Sequence, residues 1–308
     1  MLAGLSPEAP PRDPAPSPGA GVGFALAAYT IWGLLPAYWK TLTDVPADEL
    51  TAWRALWAAV VGVGLLAATR RTRELVAALR EPRLALPIVL SGALIAVNWL
   101  VFLYAVASDR VSHTSLGYYV NPLVSVALGF SVLRERLRPA QWLAVGVAAA
   151  GVVWWTLRLG GLPWIAAALA GSFALYGLVR KLVPVAPLVG FALEMLTLAP
   201  FAAGWLLSRP ALALADADPA RHAWVALSGV LTAAPLVCFA SAARRLPLVV
   251  LGIFQYIAPS LALWLAVAVY GEAFTRHHAV SFGCVAVALA IFTTDSLRAA
   301  RRAARAPA

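Results

Sequence analysis

Ten uninterrupted apolar runs, each about 20 residues long, constrain this chain more than any single motif does. They lie near 22–41, 50–69, 85–107, 114–133, 140–157, 162–180, 187–207, 222–243, 248–270 and 278–296. At 1.5 Å of rise per residue, such a run is as long as the hydrocarbon core of a bilayer is thick. The chain is 62% hydrophobic and 12% charged, about half the charge of a soluble domain. That is too little to cover a water-facing surface, which excludes a soluble enzyme, a disordered chain and a secreted disulfide scaffold. The runs are continuous and lack the period-two alternation of a transmembrane barrel. The fold class expected is therefore an all-α membrane protein with ten transmembrane helices. Residues 1–21 are rich in Pro and Ala and read as a disordered cytoplasmic tail, without the basic start of a signal peptide.

The net charge of +10 reads as topology rather than as affinity for nucleic acid. With the N-terminus inside, 17 Lys and Arg residues fall on the cytoplasmic side, in clusters at 70–83, 134–138, 180–181, 244–245 and 298–305 and at Arg12. Six fall outside: Lys40, Arg110, Arg158, Arg209, Arg221 and Arg276. Both termini are thus expected in the cytoplasm of a cell-membrane protein. Most Trp residues, among them Trp39, Trp53, Trp154, Trp155 and Trp164, sit at outer run ends as an interfacial belt would. Trp32 and Trp99 fall mid-run.

A shift of 137 residues aligns the two halves without a gap from Gly92 to Thr156. It pairs Phe102 with Phe239, Tyr119 with Tyr256, Pro122 with Pro259 and Glu135 with Glu272. Each half holds five runs. Five is odd, so the second copy must insert upside down, and the charge count independently puts Glu135 inside and Glu272 outside. The organisation read from this is a tail (1–21), a first five-helix repeat (22–158), a second repeat (159–297) and a basic cytoplasmic tail (298–308). Inverted repeats are the architecture of many secondary transporters, whose sites lie near the midplane between the repeats.

Several blocks resemble a known family. They are Tyr29-Thr-Ile-Trp-Gly-Leu-Leu-Pro36, Asn98-Trp-Leu-Val, Ser115-Leu-Gly-Tyr-Tyr-Val-Asn-Pro122 with Glu135-Arg136-Leu137, and Leu251-Gly-Ile-Phe-Gln-Tyr-Ile-Ala-Pro259 with Tyr270-Gly-Glu272. These are similar to the EamA family of the drug/metabolite transporter superfamily, over about residues 22–297. The resemblance implies two EamA repeats of five helices each and an inner-membrane permease, with the fifth and tenth helices peripheral.

Polar groups inside a bilayer are expensive, so each is a functional candidate by default. Trp32, Asn98, Tyr118, Tyr119, Asn121, Gln255 and Tyr256 are the candidates for a substrate cavity lined by helices 1, 3 and 4 and their mates 6, 8 and 9. Asn121-Pro122 and Ala258-Pro259 occupy equivalent places mid-run. A proline there frees a backbone carbonyl, which is tolerated where it faces protein or a wet space. Arg54 and Glu194 are candidates for coupling or for ion pairing. For Arg54 the choice is between snorkelling to the interface, a cationic site for an anionic group, and a place in an ion pair. For Glu194 it is between a structural hydrogen bond and proton coupling. Their depths differ by roughly 14 Å on the helical rise, so pairing between them is not assumed. Glu135 and Glu272 read as local caps at loop ends.

No GxxxxGK[ST], HExxH or Ser-His constellation is present, and Cys238 and Cys284 lack CxxC spacing. Neither an enzyme, a cofactor nor a metal is expected. The expected partners are a small-molecule substrate and the lipid bilayer, with a homodimer permitted and nucleic acid not. The leading function is alternating-access transport of small organic metabolites or drugs. A channel or facilitator of the same fold stands as the alternative, ahead of a membrane-embedded enzyme.

Overall fold

The computed structural model describes residues 18–108, 110–158, 164–271 and 276–305, and all regular structure among them is helical. The long helices are α1 (Pro18–Trp39), α2 (Ala47–Ala68), α4 (Pro82–Ala107), α5 (Val111–Ser131), α6 (Pro139–Arg158), α7 (Trp164–Leu182), α8 (Pro187–Leu207), α9 (Pro219–Ala243) and α12 (Arg276–Arg305). A short amphipathic helix, α3 (Thr72–Leu79), joins α2 to α4. The ninth apolar run is divided into α10 (Leu248–Phe254), α11 (Ile257–Trp264) and a π-helical stretch, Leu265–Val269.

Long apolar stretches rich in Ala, Leu and Gly form helices in lipid because every backbone group must be satisfied within its own segment. Prolines open α4, α6, α8 and α9, where the missing N–H is no loss. At α9, Asp218 accepts the Arg221 amide at 2.7 Å. Among the described residues, nine helical stretches are long and apolar enough to cross a membrane. The remaining expected run, α5, carries Ser115, Gly117, Tyr118, Tyr119 and Asn121 and is more polar. The outer surface is apolar: Leu207, Phe201 and Leu86 are 86%, 77% and 76% exposed. This is a multi-pass membrane protein.

Helix directions alternate. Calling the end at which α1 begins the near end, cross-links between distant segments fix the layout. Arg138 meets Asp295 at the near end, and Arg209 meets Asp48 at the far end. The main packings are α1 on α9 and α11, α2 on α8 and α9, α4 on α7 and α8, α5 on α7 and α10, and α6 on α12. Without water to drive helices together, close approach depends on small residues. At the crossing of α2 and α9, a Cβ on Gly229 would lie 2.5 Å from the backbone of Trp57.

The two prolines that the 137-residue shift pairs behave differently. Pro122 sits inside an unbroken α5, whereas the helix ahead of Pro259 opens into a turn at Gln255 and Tyr256. Of the two prolines, only Pro259 lies beside a helix break. Glu272 lies outside the described residues, as does the link around residues 159–163.

Candidate functional site

The structure distributes the seven cavity candidates over four settings. Asn98 and Asn121 are buried in helix contacts. Asn98 donates from Nδ2 to the Leu169 carbonyl and to Ser172 Oγ, both at 3.0 Å, which ties α4 to α7. Asn121 Oδ1 accepts from Ser125 Oγ at 3.4 Å. Tyr119 and Tyr256 meet each other: the Tyr256 hydroxyl donates to the Tyr119 carbonyl at 3.2 Å, with ring centroids 6.2 Å apart. Trp155 and Phe282 close over Tyr119 at 5.1 and 5.0 Å. Trp155 is therefore a packed residue and not part of an interfacial belt. Gln255 is buried in the turn next to this pair. Trp32 belongs to an aromatic cluster with Tyr29, Phe173, Tyr176 and Phe239, lying 5.4 Å from Phe173 and 5.8 Å from Phe239. Of these residues, expected around one wet space, Asn98 and Asn121 bond to neighbouring helix groups and Tyr256 bonds to Tyr119, whereas the buried Tyr119 hydroxyl has no hydrogen-bond partner among the described residues.

Tyr118 alone among the seven is exposed, at 40%. It shares a helical stripe with Thr114, Asn121 and Ser125, all of them buried. Phe102 on α4 is 39% exposed, yet it shares a stripe with the buried Ile95, Asn98 and Ala105. Two open positions on two inward stripes, with ring centroids 6.4 Å apart, mark a vestibule inside the bundle rather than a lipid face. Arg54 of α2 reaches this region. Its guanidinium lies 4.0 Å above the Trp99 ring and 5.5 Å from that of Trp39. Its Nε is buried and has no hydrogen-bond partner among the described residues. Phe239, which the 137-residue shift pairs with Phe102, is 2% exposed and sealed in the aromatic cluster. The vestibule thus belongs to the far half of the bundle, and the place of Phe239 in the near half is filled.

Glu194 is fully buried and does not line the vestibule. Ser91 Oγ donates to Oε1 at 2.6 Å, and the Tyr176 hydroxyl donates to Oε2 at 3.2 Å. Arg180 Nη1 stands 3.3 Å from Oε1, with both side chains at most 1% exposed. Arg180 Nη2 also donates to the Pro187 carbonyl at 3.1 Å. Arg180 stands among the cytoplasmic loop cations in the sequence count. It is instead one half of an ion pair inside the protein. Gly190 makes the room: a Cβ there would lie 2.0 Å from Arg180 Nη1.

Glu135 is not a local cap. Its two oxygens accept the amides of Leu248 and Val249, at 2.7 and 2.8 Å, so it caps the start of α10 from 113 residues away. Lys181 stands 3.7 Å from the same carboxylate and donates to the Ala243 and Leu246 carbonyls at 3.1 and 2.5 Å. Together these bonds fasten the near end. A separate apolar groove of about 470 Å³ lies on the outer face, lined by Arg83, Pro87, Val179 and Pro184 among others, and holds none of the candidates. Among the described residues, no three His, Cys, Asp or Glu side chains stand close enough to hold a metal ion.

Comparison with known proteins gives a consistent picture. Residues 19–157 match the EamA-like transporter family. An uncharacterized transporter of Pseudomonas aeruginosa is 42% identical over 288 residues, covering 92% of this chain and 96% of that protein. Protein RarD of Salmonella typhi is 43% identical and that of Escherichia coli 41%, each alignment covering 92% of this chain and 97% of the relative. A crystal structure at 22% identity aligns with a TM-score of 0.70 over 92% of this chain and 99% of its own, which shows a shared fold.

Proposed function

This chain belongs to the EamA-like transporter family, and we propose that it is a secondary transporter of small organic molecules working by alternating access. In this reading ten helices span the cell membrane as two inverted repeats, 22–158 and 159–297, with both termini in the cytoplasm. The observation that carries the reading is the meeting of Tyr119 and Tyr256. They are 137 residues apart, the shift that aligns the halves, and they touch through a direct hydrogen bond. Equivalent residues of two repeats come into contact only close to the axis that relates them. The helix packing agrees. Exchanging α1, α2, α4, α5 and α6 for α7, α8, α9, α10–α11 and α12 turns α1 on α9 into α7 on α4, and α2 on α9 into α8 on α4. The packings α2 on α8 and α6 on α12 map onto themselves.

Two similar units that meet on an axis can rock about it, opening one end as the other shuts. In this reading the vestibule beside Tyr118 and Phe102 and the fastening at Glu135 belong to a state open at the far end and shut at the near end. The test is counterflow in proteoliposomes loaded with a concentrated cell extract, with exchanged compounds read by mass spectrometry. Alternating access gives saturable flux that is accelerated by substrate on the opposite side. Unsaturable flux without that acceleration points to a channel and overturns the proposal.

A further inference from the structure

The transporter reading leaves open which chemistry the vestibule accepts, and Arg54 bears on it. The carboxylates nearest to Arg54 in sequence are already engaged. Glu49 accepts the amides of Ala213 and Leu214 at 2.7 and 3.1 Å, and Asp48 pairs with Arg209 at 3.1 Å. Among the described residues, no carboxylate lies within ion-pair distance of Arg54 and none accepts a hydrogen bond from it. Arginine keeps its charge under all ordinary conditions. A cation held in a membrane-spanning bundle without a counter-charge is costly, and such residues mark substrate paths.

The geometry narrows what completes the site. The Trp99 ring, with its centroid 4.0 Å from the guanidinium carbon, covers one side of the group. The N–H donors lie in the guanidinium plane and point sideways, in the fork that matches a carboxylate. The rings of Trp99, Phe102 and Tyr118, two of them exposed to the vestibule, offer flat apolar surface around that fork. Resting on the transporter reading above, we propose that Arg54 is the anion-binding residue of the substrate site, and that the substrate is a small organic anion with an aromatic ring and a carboxylate.

The test uses the full chain in nanodiscs of zwitterionic phosphatidylcholine, with three probes that share one ring: phenylacetate, phenylacetamide and phenethylamine. Calorimetric titration is expected to rank phenylacetate at least about tenfold tighter than the amide and the amine, the loss that follows when a charged hydrogen bond is removed. Arg54→Gln should lower phenylacetate affinity to the level of the amide. Arg54→Lys, which keeps the charge but not the fork, should fall between. The wild-type probe series decides the matter even if a variant does not fold. Equal binding of the three probes, no binding of phenylacetate, or undiminished affinity in folded Arg54→Gln overturns the proposal, and each is the outcome if Arg54 only reaches lipid phosphates. Counterflow of the same probes separates the two layers. Exchange of the amide or amine but not the acid leaves transport standing and removes the anion site. Tight, Arg54-dependent binding of phenylacetate with no exchange does the reverse.

Discussion

Adding a single methyl group at Gly190 should break the buried ion pair of Arg180 and Glu194. A Cβ at this position lies 2.0 Å from Arg180 Nη1 and 2.7 Å from both Cζ and Nη2, whereas ordinary contact begins at 3.4 Å. The guanidinium must retreat by the difference between 3.4 and 2.0 Å, about 1.4 Å. It starts with one bond to the Pro187 carbonyl at 3.1 Å and an approach of 3.3 Å to Glu194. Losing one charge-assisted bond costs about 1.5–3 kcal/mol. Complete loss of a buried counter-charge costs about 3–5 kcal/mol. Alanine returns about 0.5–1 kcal/mol in helix propensity over glycine. G190A is therefore expected to destabilise by about 2–4.5 kcal/mol if the pair is broken outright, and by about 0.5–2.5 kcal/mol if only one bond is lost, measured by detergent-denaturant titration followed by far-ultraviolet circular dichroism. The sharper reading is a double-mutant cycle. In an R180A background the clash has no partner, so G190A should become neutral or stabilising by up to about 1 kcal/mol. Equal destabilisation in both backgrounds would show that Gly190 serves the helix contact itself and not the guanidinium.

Glu194→Gln keeps the shape and the hydrogen bonding but cannot ionise. If Glu194 carries protons, gradient-driven transport in proteoliposomes is lost while equilibrium exchange survives, and wild-type gradient-driven transport excludes that role. Glu135→Ala removes the cap on the first two amides of α10 and should loosen the near end by about 1 kcal/mol, roughly a fivefold shift in population. A cysteine placed at Val249 should then react faster with an impermeant maleimide applied from that side, and an unchanged rate contradicts the fastening. Reporter fusions at Ala308 and within 70–83 should both read cytoplasmic, and an external signal at either place defeats the inverted arrangement.

The helices were readable because length and apolarity are local properties, and so was the burial of Glu194, which sits well inside its run. Its partner was not. Arg180 adjoins Lys181 at a run end, where arginines ordinarily face water, and only the reversal of the chain between α7 and α8 brings it to the carboxylate. Gly190, four residues before Glu194, is a local hint, but a glycine in a membrane helix has many uses. Tyr118 and Tyr119 are neighbours in the chain with opposite settings, one at the vestibule and one against Tyr256. Separating them requires the rotation of α5 about its axis, which three-dimensional packing decides. The reach of Glu135 was hidden for the same reason, since a cap 113 residues away leaves no trace in spacing. Pro122 and Pro259 look alike in sequence, yet only the second lies beside a helix break.

The burial of Arg180 also bears on how the chain enters the membrane as it is made. When α7 leaves the ribosome its arginine has no partner, and a lone arginine resists transfer into lipid. The carboxylate that neutralises it arrives with the next helix, only 14 residues later, across a short link. Arg180, close to the end of α7, can wait at the membrane edge, but Glu194 lies well inside α8 and has no charged partner on its own helix. Insertion of α7 and α8 as one hairpin, with Arg180 and Glu194 already paired, avoids exposing either charge to lipid. Translation that pauses between the two helices would hold the arginine at the membrane edge until its counter-charge has been synthesised.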